Sequence, residues 1–366
     1  YFVSEDEYFL SHKIFQAKDA LKNKFDVMIT CNFTKYEKKI RSEGFRTKNI
    51  NFNRKSINPF NNLIYLLQLL KIIHNFKPDL IQCFALKPIL ITSIATFFNK
   101  HIKVICCVVG VGFLIINKNF FSNIIRGCYF FLLKTFSMKN ITYVFQNLDD
   151  LKLFKEKGVI KNKNIKIIKG SGVDTIFFKK GHQKKIYDLI FHSRILKDKG
   201  IFEIISALKK LQKKKIFLRT LILGNPDPKN FSSISLKKLN EWNDSNIIIW
   251  KPRVLNVLPY LQKSRIAILP SYREGLPRSL IEAASCELPI ISTNVPGCKE
   301  ICIDKFNGYL VKPKDSTSLA EAIEKLIFNQ RLIDKFGKNG RNHVVKNFEN
   351  KLVVKKFREI YKSLLE

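Results

Sequence analysis

Two glutamates, Glu274 and Glu282, sit in the segment SYREGLPRSLIEAAS, residues 271–285. The segment follows an apolar run, RIAILP, that reads as a strand, so it leaves a strand's carboxyl end. Pro277 suits the first turn of a helix, where its missing N–H and fixed φ cost nothing. Glu274 then lies in the loop before the helix and Glu282 inside it. The axial rise from Pro277 to Glu282 is roughly 7.5 Å at 1.5 Å per residue. At such a separation two carboxylates can hold two hydroxyl-bearing groups of one extended ligand. Glu282 is flanked by Leu280, Ile281, Ala283 and Ala284, and a carboxylate in apolar surroundings needs partners. Ligand hydroxyls are one possibility; a core Arg or a backbone amide is the other.

A second constellation, FHSRILKDKG at residues 191–200, follows the apolar run YDLIF. Arg194 and Lys199 bracket a loop entering a helix. Two cations at a helix N-terminus suit a diphosphate. His192 reads either as a support for this loop or as an inert strand residue. The chain has no P-loop, complete GxGxxG, HExxH or Asp-x-Asp motif. A divalent-metal clamp on a nucleotide diphosphate is therefore not evident. Metal-independent chemistry is expected, with Arg194 and Lys199 neutralising a leaving diphosphate.

The elements that must position these residues alternate along the whole chain. Apolar runs YFVS, FDVMIT, KNINF, DLIQCF, KVICCVV, ITYVFQ and NIKIIKG are separated by helix-like stretches near 8–24, 35–43, 58–76, 87–99, 119–138 and 147–158. A polar, Gly-containing stretch from Gly170 to Asp174 interrupts the pattern. It restarts with YDLIFHS, FLRTLILG, NIIIW, RIAILPS, PIIST and GYLV. The helical stretches between these runs lie near 199–214, 233–243, 255–263, 277–286, 315–328 and 330–347. Such alternation predicts parallel sheets covered by helices, here two doubly wound α/β domains. The expected division is 1–172, 173–346 and a C-terminal helix, 347–366, returning to the first domain. Ligands in such sheets bind at the carboxyl ends of the strands, so a cleft between two facing domains is the expected site.

Composition narrows the partners. The chain has 366 residues, 65 Lys and Arg against 30 Asp and Glu, and a net charge of +35. With 46% hydrophobic residues and 31 Phe it is no disordered polycation. The excess is mostly Lys, and residues 1–180 and 181–366 carry nearly equal shares of it. A nucleic-acid groove would concentrate charge and favour Arg. No nucleic-acid partner is therefore expected; a lysine-rich surface or attraction to anionic lipid fits better. The eight cysteines form no CxxC pair and mostly lie in apolar runs, so they read as buried hydrophobes in a reducing cytoplasm. No signal peptide is visible, and YFVS reads as a strand already under way, so a few residues are expected before Tyr1. No apolar run reaches the roughly 20 residues needed to span a bilayer. Asn61–Ile73 and Lys118–Lys134 combine apolar faces with lysines and either lie on an anionic leaflet or pack on the sheet.

The E-x7-E segment, the S-R-x-L-x-x-K-G segment and the tail VPGCKEICIDKFNGYLVKPKDSTSLAEAI resemble the retaining glycosyltransferases of family 4. The resemblance covers essentially the whole chain. SEDEYFLSHKIFQAKDAL, KSINPFNNLIYL, KPDLIQCFALKP and GSGVD are similar to a bacterial subgroup that builds oligosaccharides on polyprenyl diphosphate. The resemblance implies the GT-B fold, two Rossmann-like domains, with the first taking the acceptor and the second the nucleotide-sugar. It implies a UDP-sugar donor, a polyprenyl-diphosphate-linked saccharide acceptor, and work in the cytoplasm, peripheral on the anionic inner leaflet. Arg194 and Lys199 would contact the donor diphosphate, Glu274 the sugar hydroxyls and Glu282 the ribose. The amides of Gly275 and Leu276 would approach sugar and phosphate, Pro277 would remove one such amide, and Arg253 would lie near the base.

Two departures stand out. Many relatives carry a sugar-contacting His where this chain has Val109, Gly110, Val111 and Gly112. They also often have a Gly-rich loop where this chain has Ser4, Glu5, Asp6 and Glu7. His12 and Lys13 are the candidates for the acceptor's phosphate, or a surface pair at a helix end. Competing readings are a UDP-sugar epimerase of the same fold, a catalytically silent nucleotide-binding subunit, and a basic nucleic-acid binder.

Overall fold

The apolar runs become strands that pair in parallel, because each amphipathic stretch between them forms a crossover helix. The computed structural model describes residues 1–53, 58–111, 120–137, 140–160, 164–228 and 230–366. They divide into one unit of Tyr1–Ser171 with Asn350–Glu366 and a second of Gly172–Glu349.

The first unit holds β1 (Phe2–Glu5), β2 (Met28–Asn32), β3 (Arg46–Asn49), β4 (Leu80–Phe84), β5 (Lys103–Val108), β6 (Ile141–Phe145) and β7 (Ile165–Ile167). They form one parallel sheet in the order β3-β2-β1-β4-β5-β6-β7. The second unit holds β8 (Tyr187–His192), β9 (Thr220–Leu223), β10 (Ile249–Lys251), β11 (Ser264–Leu269), β12 (Ile290–Thr293) and β13 (Gly308–Val311). Their order is β10-β9-β8-β11-β12-β13, again parallel. Both sheets are doubly wound, as the alternation predicts. Strand order reverses between β1 and β4 in one sheet and between β8 and β11 in the other.

Several boundaries differ from the sequence reading. β3 falls at Arg46–Asn49, ahead of the predicted KNINF run. The predicted helix 8–24 is two helices, Asp6–His12 and Ile14–Lys22, broken at Lys13. Lys13 leaves helical geometry (φ −123°, ψ −12°) and its side chain is buried against the Phe84 ring. The predicted helix 119–138 spans Phe120–Phe136; residues 119 and 138, like Gly112 and Lys118, lie outside the described residues. Among the described residues, no helix is long and apolar enough to cross a membrane.

The acidic run after β1 has a structural use. Ser4 and Glu5 belong to the strand, and Asp6 opens the helix directly. Its carboxylate accepts from the backbone amides of Thr34, Lys35 and Tyr36 at 2.8–2.9 Å and from the Thr34 hydroxyl. Burial alone would raise this carboxyl, but these four donors outweigh it and hold it below its ordinary value. The turn after β2 is thereby tied to the end of β1.

The chain turns extended at Glu349 and enters its last helix, Asn350–Leu365, within the first unit. Arg358 pairs with Asp19 through two nitrogens. The Tyr361 hydroxyl sits in a buried network with Gln16, Gln82 and Tyr1. Val353, Phe357 and Ile360 fill the core between them.

All eight cysteines are free; seven are buried and Cys128 is exposed. Burial pushes the Cys107, Cys286 and Cys298 thiols up to about 12. A maleimide added at neutral pH should therefore label one thiol rapidly, with Cys128 identified by peptide mapping. Replacing Asp6 by Ala should cost about 2 kcal/mol by stranding amide donors. A lowered urea midpoint in far-UV circular dichroism is the expected result, and an unchanged midpoint would remove this role from Asp6.

Candidate active site

In the second sheet both sequence constellations leave neighbouring strands. β8 pairs with β11 in the register Leu189↔Ile266 and Ile190↔Ala267. The crossover from β8 runs toward β9 and that from β11 toward β12, so the two loops diverge and leave a crevice between them. Arg194 and Lys199 lie on one side of it, Glu274 and Glu282 on the other.

Glycine brings the two loops together. After β8 the turn Lys197–Lys199 ends at Gly200, in the left-handed region (φ +78°), which starts the helix Ile201–Lys213. A Cβ at Gly200 would stand 2.2 Å from the Pro270 carbonyl oxygen, so only glycine allows this approach to the end of β11. The Tyr272 amide donates to the Asp198 carbonyl at 2.9 Å, and its hydroxyl donates to Glu203 at 2.8 Å. Gly297 closes the far side: with φ +79°, a Cβ there would lie 2.4 Å from the Gly275 carbonyl oxygen.

This packing sets the Lys199 ammonium against Glu274 Oε1, with both side chains largely buried. Ser271 Oγ donates to the same oxygen at 2.7 Å. The pair holds a positive and a negative group in fixed positions at the carboxyl edge of the sheet. A desolvated ammonium there can meet a phosphate, and the second carboxylate oxygen can accept from a hydroxyl.

Glu282 lies on the helix Arg278–Ser285, one residue shorter at its start than the sequence reading because Pro277 is the cap residue. The residue is 9% exposed. Arg278, one turn earlier, donates from Nε to Oε1 at 2.7 Å, and His192 Nε2 lies 3.3 Å from Oε2. The partner left open by the sequence is therefore an arginine of the same helix together with the last residue of β8. Burial alone would raise the Glu282 carboxyl; His192 and Arg278 outweigh it and hold it below its ordinary value. A carboxylate has about four lone-pair directions, so ligand hydroxyls can still be accepted.

The remaining candidates disperse. Arg194 is half exposed and pairs with Asp227 at 3.1 Å, on the loop after β9. Gly275 and Leu276 are partly exposed beside Glu274. Arg253 follows β10, an edge strand, with β9 between it and β8. Its amide donates to the Asn225 side chain at 2.8 Å. In the first unit His12 and Lys13 part company. His12 stacks on Tyr8 at 4.6 Å and meets the Ser11 hydroxyl, whereas Lys13 is 2% exposed and donates to Ser171 Oγ. Among the described residues, no group of three or more His, Cys, Asp or Glu side chains is placed to hold a metal ion.

Sequence reasoning missed Arg278, Tyr272 and Gly297. The i, i+4 spacing of Arg278 and Glu282 was a usable signal; the other two depend on loops that meet only in three dimensions. Because the folded Glu282 carboxyl lies below its ordinary 4.5, its contribution to stability is complete above that range. It is lost as pH falls through the lowered folded value. Glu282→Gln should therefore flatten the acid limb of a stability–pH profile below that ordinary value, and an unaltered limb would contradict the pairing.

Comparison with known proteins agrees with this architecture. Residues 1–147 match the family described as glycosyl transferase 4-like, and residues 172–343 the family described as glycosyl transferases group 1. The N,N'-diacetylbacillosaminyl-diphospho-undecaprenol alpha-1,3-N-acetylgalactosaminyltransferase of Campylobacter jejuni is 26% identical over 362 residues, 95% of this chain and 94% of that protein. The capsular polysaccharide biosynthesis glycosyltransferase CapM of Staphylococcus aureus is 25% identical over 86% of this chain and 84% of its own. Among solved structures, a glycosyltransferase from Rickettsia africae superposes with a TM-score of 0.78 at 20% identity, covering 100% of this chain and 99% of that one. HepE of Anabaena, solved with UDP and glucose, gives 0.79 at 15% identity, covering 99% and 98%. With both units accounted for, the chain belongs to the hexosyltransferases of family 4 with the GT-B fold, a 4-like unit followed by a group 1 unit.

Proposed function

We propose that this enzyme moves a hexose or N-acetylhexosamine from a UDP-sugar to a polyprenyl-diphosphate-linked saccharide, with retention of anomeric configuration, at an anionic membrane surface. The observation that carries the reading is the Lys199–Glu274 pair at the strand-order reversal of the second sheet. The lipid-linked acceptor is supported by the full-length likeness to the Campylobacter jejuni enzyme, whose name specifies such an acceptor.

In this reading the bond between the anomeric carbon and the diphosphate oxygen breaks, and its electron pair leaves with the nucleotide. Lys199, with Arg194 turned from Asp227, stabilises the growing negative charge, and no metal ion is needed for that role. Glu274 accepts from sugar hydroxyls and Glu282 from the ribose, which fixes the donor's orientation. The amides of Gly275 and Leu276 approach the sugar and phosphate, Pro277 offers none, and Arg253 lies toward the base. The acceptor oxygen attacks on the face the diphosphate leaves, and its proton passes to the departing phosphate. No protein nucleophile takes part.

The test is transfer to a polyprenyl-diphosphate saccharide, with anomeric configuration read by NMR. Lys199→Ala and Glu274→Ala should each lower turnover by on the order of a hundredfold, with unchanged circular dichroism. Full turnover by either variant overturns the assignment. Product from UDP-sugar without acceptor would instead identify an epimerase. A thermal-shift panel of UDP, GDP and ADP sugars reads the donor, and a shift confined to GDP or ADP compounds rejects UDP.

A further inference from the structure

The first sheet reverses its strand order between β1 and β4, as the second does between β8 and β11. The loops after β1 and β4 part in the same way, so a ligand of the first unit is expected at that carboxyl edge. The sequence offered His12 and Lys13, beyond β1, for an acceptor phosphate. The loop after β4 offers Lys87, which the chemistry above leaves unused.

The turn that presents Lys87 is abrupt. β4 ends at Phe84, and the Ala85 amide donates to the Cys107 carbonyl at 3.2 Å beside the β4–β5 ladder. Ala85 then takes φ +74° and ψ +161°, a region that residues other than glycine seldom occupy. The helix Leu86–Ala95 starts at once, with the Ala85 carbonyl accepting from the Ile89 amide at 3.1 Å. Lys87 therefore stands in the first turn of that helix, at the sheet's edge.

Aromatic rings hold its side chain. Lys87 Nζ lies 5.3 Å from the centre of the Phe52 ring and 5.5 Å from that of Tyr65. It donates to the Asn53 carbonyl at 2.9 Å, and the Asn53 amide donates to the Tyr65 hydroxyl at 3.1 Å. Phe52 itself packs edge-on against Phe2 of β1 at 5.6 Å. The lysine of one loop is thus steadied by a ring seated on the other strand of the reversal. Burial lowers its pKa to about 8. The titratable groups on the helices packed there, Tyr65 and Tyr129, are phenols. The Tyr129 hydroxyl donates to the Leu86 carbonyl at 3.0 Å, and burial keeps it protonated. An ammonium partly stripped of water in this way gains strongly from a phosphate oxygen.

We propose that Lys87 binds a phosphate of the acceptor's diphosphate at the carboxyl edge of the first sheet, and so selects diphosphate-linked saccharides over uncharged ones. The inference rests on the lipid-linked acceptor proposed above and names the side chain that recognises it. A donor diphosphate has the same chemistry, so the test separates the two.

The probe is farnesyl diphosphate, a prenyl diphosphate without saccharide, titrated calorimetrically into the full chain in excess UDP. Lys87→Met keeps the apolar stem over both rings and removes the charge. It should weaken binding roughly tenfold or more, and Lys87→Arg should restore it. The dissociation constant of the unaltered chain should rise as pH climbs through about 8, because the neutral amine no longer attracts phosphate. Lys87→Arg should lack this limb, since a guanidinium keeps its charge. In transfer assays Lys87→Met should raise the KM for a saccharide on prenyl diphosphate. The KM for UDP-sugar, and that for the same saccharide as an uncharged alkyl glycoside, should not move. Equal binding of farnesyl diphosphate by Lys87→Met and the unaltered chain overturns the proposal, as does an unaltered chain that binds none. A raised UDP-sugar KM assigns Lys87 to the donor, and an equal loss with both acceptors assigns it to packing; either overturns the proposal. If Lys87→Met fails to fold, a pH limb that persists in Lys87→Arg overturns it. A chain that binds farnesyl diphosphate through Lys87 yet transfers to no lipid-linked saccharide overturns the function proposed above and leaves this site standing.

Discussion

A parallel sheet joined by right-handed crossovers has one place where consecutive connections part, and the paired charged groups of the candidate site gather at that place. β8 and β11 are hydrogen-bonded neighbours, yet the chain leaves them toward opposite edges of the sheet. The gap between the two loops is a consequence of topology and needs no special residue to open it. What needs special residues is its closure to a useful width. Gly200 permits the turn after β8 to touch Pro270, and Gly297 lets a third loop press on Gly275. These two approaches, with the Tyr272 amide on Asp198, set the distance between the lysine of one loop and the glutamate of the other.

The electrostatics follow from that spacing. Charges at the edge of an apolar sheet are costly unless each finds a partner. Here the partners come from different strands: Lys199 after β8 with Glu274 after β11, and His192 at the end of β8 with Glu282 beyond β11. Arg278 completes the second group from within its own helix. The site is thus charged on both sides of the crevice while each side chain is held by a neighbour. That preorganisation suits a ligand with hydroxyls at one end and phosphates in the middle. Arg194, half exposed beside Asp227, is the looser member and belongs to the rim.

The two-domain architecture, the strand runs and the E-x7-E and R-x4-K spacings were legible because they are local. Period and punctuation identify strands and helices, and a motif keeps its spacing whatever the rest of the chain does. Features set by distant contacts were not legible. The break at Lys13 occurs because its side chain turns in toward Phe84 and Ser171. The run Ser4-Glu5-Asp6-Glu7 stands where relatives often have a Gly-rich loop, and nothing in it shows that Asp6 is buried and gathers the amides of a turn some thirty residues away. Lys87 reads as one lysine among many until the fold lays it over Phe52 and Tyr65.

By itself the sequence determined the classes of element, the carboxyl-end placement of both constellations and the kinds of charged group gathered there. These are properties of residue types and short spacings, and a 1.5 Å rise or a two-residue pleat carries them without further context. Only the tertiary structure decided which of those groups meet. It paired Lys199 with Glu274 and gave Glu282 to Arg278 and His192. It withdrew Lys13 into the core and left Phe60 and Phe131 outside. The physical reason is that these outcomes depend on strand order and on glycine-permitted contact between loops far apart in the chain. A sequence pattern fixes no such distance until the sheet has closed it.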